Sequence, residues 1–141
     1  MIGVLITGHG SFATGMMSAS KLIVGPRENY LGVDFLESDN VDTLSDKLRQ
    51  AMESLGDQIL VLVDLAGGSP FKTAVTLKSE FPDKKIEVIS GLNLPMLTSV
   101  LLEEKETMEE YVQDAMEMGA VGIKQFKKKP KPQPVAAEDG I

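Results

Sequence analysis

The strongest constraint on this chain is the run Val4-Leu5-Ile6, closed by Gly8-His9-Gly10 and followed by an apolar-periodic stretch from Ala13 to Val24. A short, continuous apolar run suits a strand buried on both faces. A glycine on each side of a residue lets the backbone turn sharply and lets another molecule come close. The stretch therefore predicts a strand, a histidine-bearing turn and a helix. A helix start offers unpaired N–H groups and the positive end of the helix dipole, which together attract anions. His9 is the single histidine of the sequence. An imidazole beside an anion seat points to phosphate chemistry, with one ring nitrogen free to attack when the other is held. A lone loop histidine is equally an ordinary polar surface residue, so the rest of the chain must decide.

The same alternation continues downstream. Tyr30 to Phe35 reads as a second strand. Val41, Leu44, Leu48, Ala51, Met52 and Leu55 recur at helical spacing, with charged residues between them. Ile59 to Val63 is fully apolar and rich in β-branched residues, a third strand running into Asp64-Leu65-Ala66-Gly67-Gly68-Ser69-Pro70. Ser69 suits an N-cap and Pro70 a first helical position, which predicts a helix from Pro70 to about Phe81. Ile86 to Ile89 is a fourth strand, Pro95 to Leu102 a short apolar helix, and Thr107 to Met118 a helix opened by a Thr107/Glu110 capping box. Ala120 to Phe126 reads as a fifth strand. The Lys/Pro-rich residues from Lys127 form no packed element, so a domain over 1–126 and a flexible tail over 127–141 are expected. Strands alternating with helices specify an α/β fold with an open, mostly parallel sheet flanked by helices.

Composition narrows the function classes. A net charge of −7 argues against nucleic acid or an anionic membrane surface as partner. With no cysteine and one histidine, disulfides, thiolate chemistry and a multi-histidine zinc site are excluded. No apolar run approaches the ~20 residues of a membrane span and no signal peptide is evident, so a cytoplasmic protein is expected. Neither GxxxxGK[ST] nor a GxGxxG after a strand occurs, so a nucleotide donor is not indicated.

Sites in parallel α/β sheets gather at the carboxyl ends of strands, where the strand order reverses. That rule selects His9 and Asp64. A carboxylate accepting one ring N–H fixes the tautomer and stabilises the positive charge of an attacking imidazole. Asp64 serves equally well as a cap for the glycine loop. Hydroxyls of Thr7, Ser11 or Ser69, with backbone N–H groups, would meet phosphoryl oxygens.

Three segments carry a resemblance to the IIA component of the mannose-type sugar phosphotransferase system. They are Thr7-Gly8-His9-Gly10-Ser11-Phe12-Ala13, Val63-Asp64-Leu65-Ala66-Gly67-Gly68-Ser69-Pro70-Phe71 and Ser90-Gly91-Leu92-Asn93-Leu94-Pro95-Met96-Leu97. The resemblance spans 1–126 and implies a phosphoryl relay without metal or cofactor. The phosphocarrier protein HPr delivers the group to His9, and His9 passes it to a IIB component that works with membrane IIC and IID components. Asp64 is then the orienting partner of His9, while Gly10, Gly68 and Ser69 lie around the phosphoryl group. The implied fold has four parallel strands and an antiparallel fifth strand exchanged in a homodimer. The Pro-rich end implies a IIB component on a separate chain.

Two relatives of that fold or turn compete. The phosphotransferase subunit of dihydroxyacetone kinase usually reads Ser-His-Ser where this chain has Gly8-His9-Gly10. Tetrapyrrole metal chelatases share only Gly8 to Ser11 and normally need a second histidine. A module that is phosphorylated without passing the group onward is a third alternative.

Overall fold

Four strands and five helices alternate along residues 1–130, the part of the chain that the computed structural model describes. In chain order they are β1 (Gly3–His9), α1 (Phe12–Val24), β2 (Tyr30–Phe35), α2 (Val41–Ser54), β3 (Gln58–Val63), α3 (Ser69–Lys78), β4 (Lys85–Ile89), α4 (Leu94–Leu102) and α5 (Met108–Val121). The strands form one parallel sheet in the order β2-β1-β3-β4. From β1 the chain crosses to β2 on one side, and from β3 to β4 on the other. The order therefore reverses between β1 and β3, and their carboxyl ends open a crevice.

Alternation along the central strands builds two cores. Val4, Ile6, Leu60 and Leu62 face one layer, where Ala13 of α1, Leu97 and Val100 of α4 and Tyr111 and Ala115 of α5 cover them. Leu5, Ile59, Val61 and Val63 face the other, against Leu44, Leu48 and Met52 of α2 and Ala74 and Leu77 of α3. Burial on both faces explains why β1 and β3 read as continuous apolar runs.

Two expected boundaries differ. Helix α3 stops at Lys78, and Glu80 N–H donates to Leu77 O in a tighter turn, since the residue before Pro82 is driven out of the helical region. The expected strand over 120–126 does not form within the single chain. Ala120 and Val121 continue α5, and 123–130 have no regular structure. The apolar residues that suggested a strand are overruled by packing between α4 and α5. Asn93 Nδ2 donates to Gly119 O at 2.9 Å, and Gly122 lies against Pro95. The tail expected over 127–141 falls outside the described residues from 131 onward.

Leu60 is fully buried in a central strand, whereas Leu22 on α1 is 89% exposed. Urea unfolding of Leu60→Ala is expected to show a loss of about 2–5 kcal/mol, and Leu22→Ala a change within about 0.5 kcal/mol.

Candidate active site

β1 and β3 run in register to Thr7 opposite Val63, where β3 ends. Asp64 N–H then donates to Thr7 O at 3.2 Å, which turns the Asp64 side chain over the end of β1. Gly8 admits it: a Cβ there would lie 2.8 Å from Asp64 Cγ and 2.7 Å from the Phe12 ring. Asp64 Oδ2 accepts two hydrogen bonds from His9, from its backbone N–H at 2.9 Å and from Nδ1 at 2.8 Å. Oδ1 accepts from Leu65 N–H at 2.8 Å. The carboxylate side chain is 11% exposed and the imidazole 46%. Burial is the largest single influence on the Asp64 carboxyl and pushes its pKa up. The hydrogen bonds from His9 N–H, His9 Nδ1 and Leu65 N–H, with the His9 charge, together outweigh it and hold the pKa below the usual carboxylate range.

An ionised carboxylate only accepts hydrogen bonds, so the proton of a neutral His9 is assigned to Nδ1 and the lone pair to Nε2. Nε2 faces Gly68, whose φ is +97° and whose Cα carries nothing where a Cβ would stand 2.8 Å from both Nε2 and Cε1. Any side chain there would close the approach to Nε2 and strain the backbone as well. Phe35, at the end of β2, lies edge-on to the imidazole with ring centroids 6.1 Å apart.

The remaining expected residues divide. Ser69 is the first residue of α3 rather than its N-cap. Gly68 holds that place, because the positive φ needed beside His9 suits glycine. Pro70 follows with no N–H to satisfy, and the first turn of α3 contains no acid, so this positive helix end stands open beside Nε2. Ser11 is exposed, and its side chain makes no capping bond to α1. Gly10 supplies a bend at φ +60°, but its N–H donates to Phe35 O at 2.7 Å and is not free for a ligand. Thr7 needs correction: it is fully buried, and its hydroxyl donates to Val33 O at 2.8 Å, which ties β1 to β2. Thr7 shares a strand face with His9, but it lies one pleat further into the sheet, where its hydroxyl is enclosed and bonded within the sheet. Among the described residues no group of three or more His, Asp or Glu side chains is placed to hold a metal.

Sequence reasoning missed Phe35 and Asp34, the last two residues of β2. Asp34 Oδ1 accepts from Thr14 N–H at 3.0 Å, near the start of α1. No local signal marks either residue, because the partners of each lie on other elements.

Comparisons with known proteins agree with one another. Residues 3–116 match the family model described as the PTS system fructose IIA component. The chain is 35% identical to the fructose-specific EIIA component of Bacillus subtilis, over 72% of this chain and 69% of that protein. It is 33% identical to the mannose-specific EIIAB component of Escherichia coli, over 96% of this chain but 44% of that longer protein. Among solved structures, the phosphotransferase system component EIIA of Streptococcus agalactiae superposes with a TM-score of 0.84 at 35% identity, covering 89% of this chain and 97% of that one. The mannose/sorbose-specific IIA subunit of Enterococcus faecalis, at 23% identity and a TM-score of 0.85, shares the fold.

A carboxyl whose folded pKa is depressed adds stability that is complete above its unfolded pKa of about 3.9. That stability is lost as the pH falls through the folded value. The stability gap between wild type and Asp64→Asn is therefore expected to narrow as the pH drops below the ordinary carboxyl range. Chemical denaturation across pH 2–7 checks this.

Proposed function

As the chain belongs to the family of fructose- and mannose-type IIA components of the phosphotransferase system, we propose that it is a cytoplasmic phosphoryl carrier of sugar uptake. His9 accepts the phosphoryl group from phospho-HPr and passes it to a IIB component, which serves the membrane IIC and IID components. The observation that carries this reading is the 2.8 Å contact of His9 Nδ1 with Asp64, which leaves Nε2 facing Gly68 and the start of α3. In the forward step the Nε2 lone pair attacks phosphorus. The donor's bond to phosphorus breaks as the P–N bond forms, and the ring gains positive charge. Asp64 accepts from Nδ1–H throughout and stabilises that charge. First-turn N–H groups of α3 and the hydroxyls of Ser69 and Ser11 receive the phosphoryl oxygens. Transfer to IIB reverses the step, and Nε2 recovers its lone pair.

The working unit in this reading is a homodimer that exchanges a fifth strand from 120–126. Support comes from the β4 edge, which pairs only with β3 among the described residues. Beside it, Val88, Ile89, Met96, Val112 and Met116 line an apolar cleft of about 340 Å³. Ile123 and Phe126 are 78% and 88% exposed, which an exchanged segment would relieve. Release of Ala120 and Val121 from the end of α5, together with the irregular 123–126, would supply the strand.

Incubation with phospho-HPr is expected to label His9 with an acid-labile, base-stable phosphoryl group; an acid-stable label on Ser11 or Ser69 would refute the assignment. Asp64→Asn keeps the shape and loses the charge, so single-turnover labelling is expected to slow by about two to three orders of magnitude. A wild-type rate would remove Asp64 from the mechanism. Sedimentation at micromolar concentration is expected to give a dimer, and a species of 15.2 kDa would count against it.

A further inference from the structure

Three helices of this fold are capped in the ordinary way. Asn40, Asn93 and Thr107 precede α2, α4 and α5 with extended backbone, at ψ −177°, 171° and 156°. The side chain of each accepts from the N–H three residues on, at Thr43, Met96 and Glu110. Helix α1 departs from this pattern. Ser11 stands at its N-cap, and serine is among the best capping residues. Yet its ψ is 27°, and its side chain reaches no helix N–H. The N–H it would serve, that of Thr14, donates instead to Asp34 Oδ1 at 3.0 Å, and the Thr14 hydroxyl donates to Asp34 Oδ2.

Asp34 comes from β2, where it lies opposite Gly8 across the sheet. Its position is anchored from both sides. Lys47 Nζ donates to Asp34 O at 2.8 Å, and the next carbonyl, Phe35 O, accepts from Gly10 N–H at 2.7 Å. A carboxylate at this helix start satisfies the orphan donor and places a full negative charge on the positive end of α1.

We propose that Asp34 is a positioning residue: by capping α1 from the neighbouring strand, it leaves the Ser11 hydroxyl untethered at the rim of the His9 site, as a donor to the phosphoryl group. The use made of Ser11 rests on the phosphoryl-carrier reading; the exchange of caps does not. Capping by Ser11 would require an extended backbone there and would hold its oxygen over the first turn of α1. With Asp34 in that role, the Ser11 hydroxyl makes no bond to the first turn of α1 and stays exposed. The chain keeps both a capped helix and a free donor.

The test is a cycle of Ser11→Ala, Asp34→Ala and their double variant, with Asp34→Asn as the conservative control. Two readouts are taken. The first is hydrogen exchange at the Thr14 amide. It is expected to stay protected in Asp34→Ala, where Ser11 takes over the cap, and to lose protection only in the double variant. The second is phosphorylation of His9 by phosphoramidate, a donor that needs no partner protein: its P–N bond breaks, ammonia leaves and the bond to Nε2 forms. Ser11→Ala and Asp34→Ala are each expected to slow this step about tenfold or more, the order of one hydrogen bond to a charged group. The double variant is expected to be no slower than the singles, and Asp34→Asn, whose amide oxygen can still cap Thr14, to recover most of the rate. Equal loss of Thr14 protection in Asp34→Ala and the double variant would overturn the proposal. So would a wild-type rate in Asp34→Ala or in Ser11→Ala, or rate effects that multiply. Failure of the carrier reading appears separately, as wild-type protein that phospho-HPr does not label.

Discussion

One carboxylate joins the two halves of this molecule at the place where they diverge. Asp64 extends from the end of β3, takes both the backbone N–H and Nδ1 of His9 at the end of β1, and is itself held through Leu65 N–H. The contact requires β1 and β3 to be neighbours, which in turn requires the strand order to reverse between them. It requires Gly8, because a side chain there would occupy the space of the Asp64 carboxylate. It also requires sheet residues apolar enough to be buried on both faces, so that the strand ends are rigid. A local polar contact thus depends on the whole topology, and the direction in which Nε2 points depends on that contact.

The helix starts around His9 are not equivalent. At α1 an acid from β2 occupies the first turn, while at α3 the N-cap is a glycine and no acid is present. His9 thus closes β1 just before one helix start that carries an acid, while its Nε2 faces another that carries none. The asymmetry sets the field around the imidazole through helix ends, and among the described residues no lysine or arginine bonds the imidazole. An anion held by dipoles and neutral donors is more readily given up than one clamped by guanidinium groups.

Much of this was legible in the sequence because its signals are local. The continuous runs Val4 to Ile6 and Ile59 to Val63 are strands buried on both faces, and the helical spacing from Val41 to Leu55 is α2. His9 and Asp64 were recognisable because each ends a strand beside glycines. The departures seen within the single chain have a common physical origin, in contacts between distant segments. Ala120 and Val121 look like strand residues, but Asn93 holds the carbonyl of Gly119 and α5 runs on. Thr7 lies within the motif, yet its hydroxyl bonds a carbonyl of β2 that is 26 residues away. Ser69 is a good cap by type, but the approach of His9 Nε2 gives that position to Gly68. Asp34 went unnoticed because nothing near it in sequence shows that Thr14 will stand above it.

The burial of β1 and β3 bears on how this site would age under heat. Every residue from Ile59 to Val63 is fully buried, as are Val4 to Thr7. His9 and Asp64 extend directly from these strands, with no hinge between the imidazole and the last part of the molecule to open. Fraying of α5 or of the exposed residues beyond it leaves the imidazole and its partner aligned. Loss of the His9–Asp64 contact on warming should then be all-or-none, coinciding with collapse of the sheet itself, and a species with the sheet intact but the pair parted should not accumulate on the way.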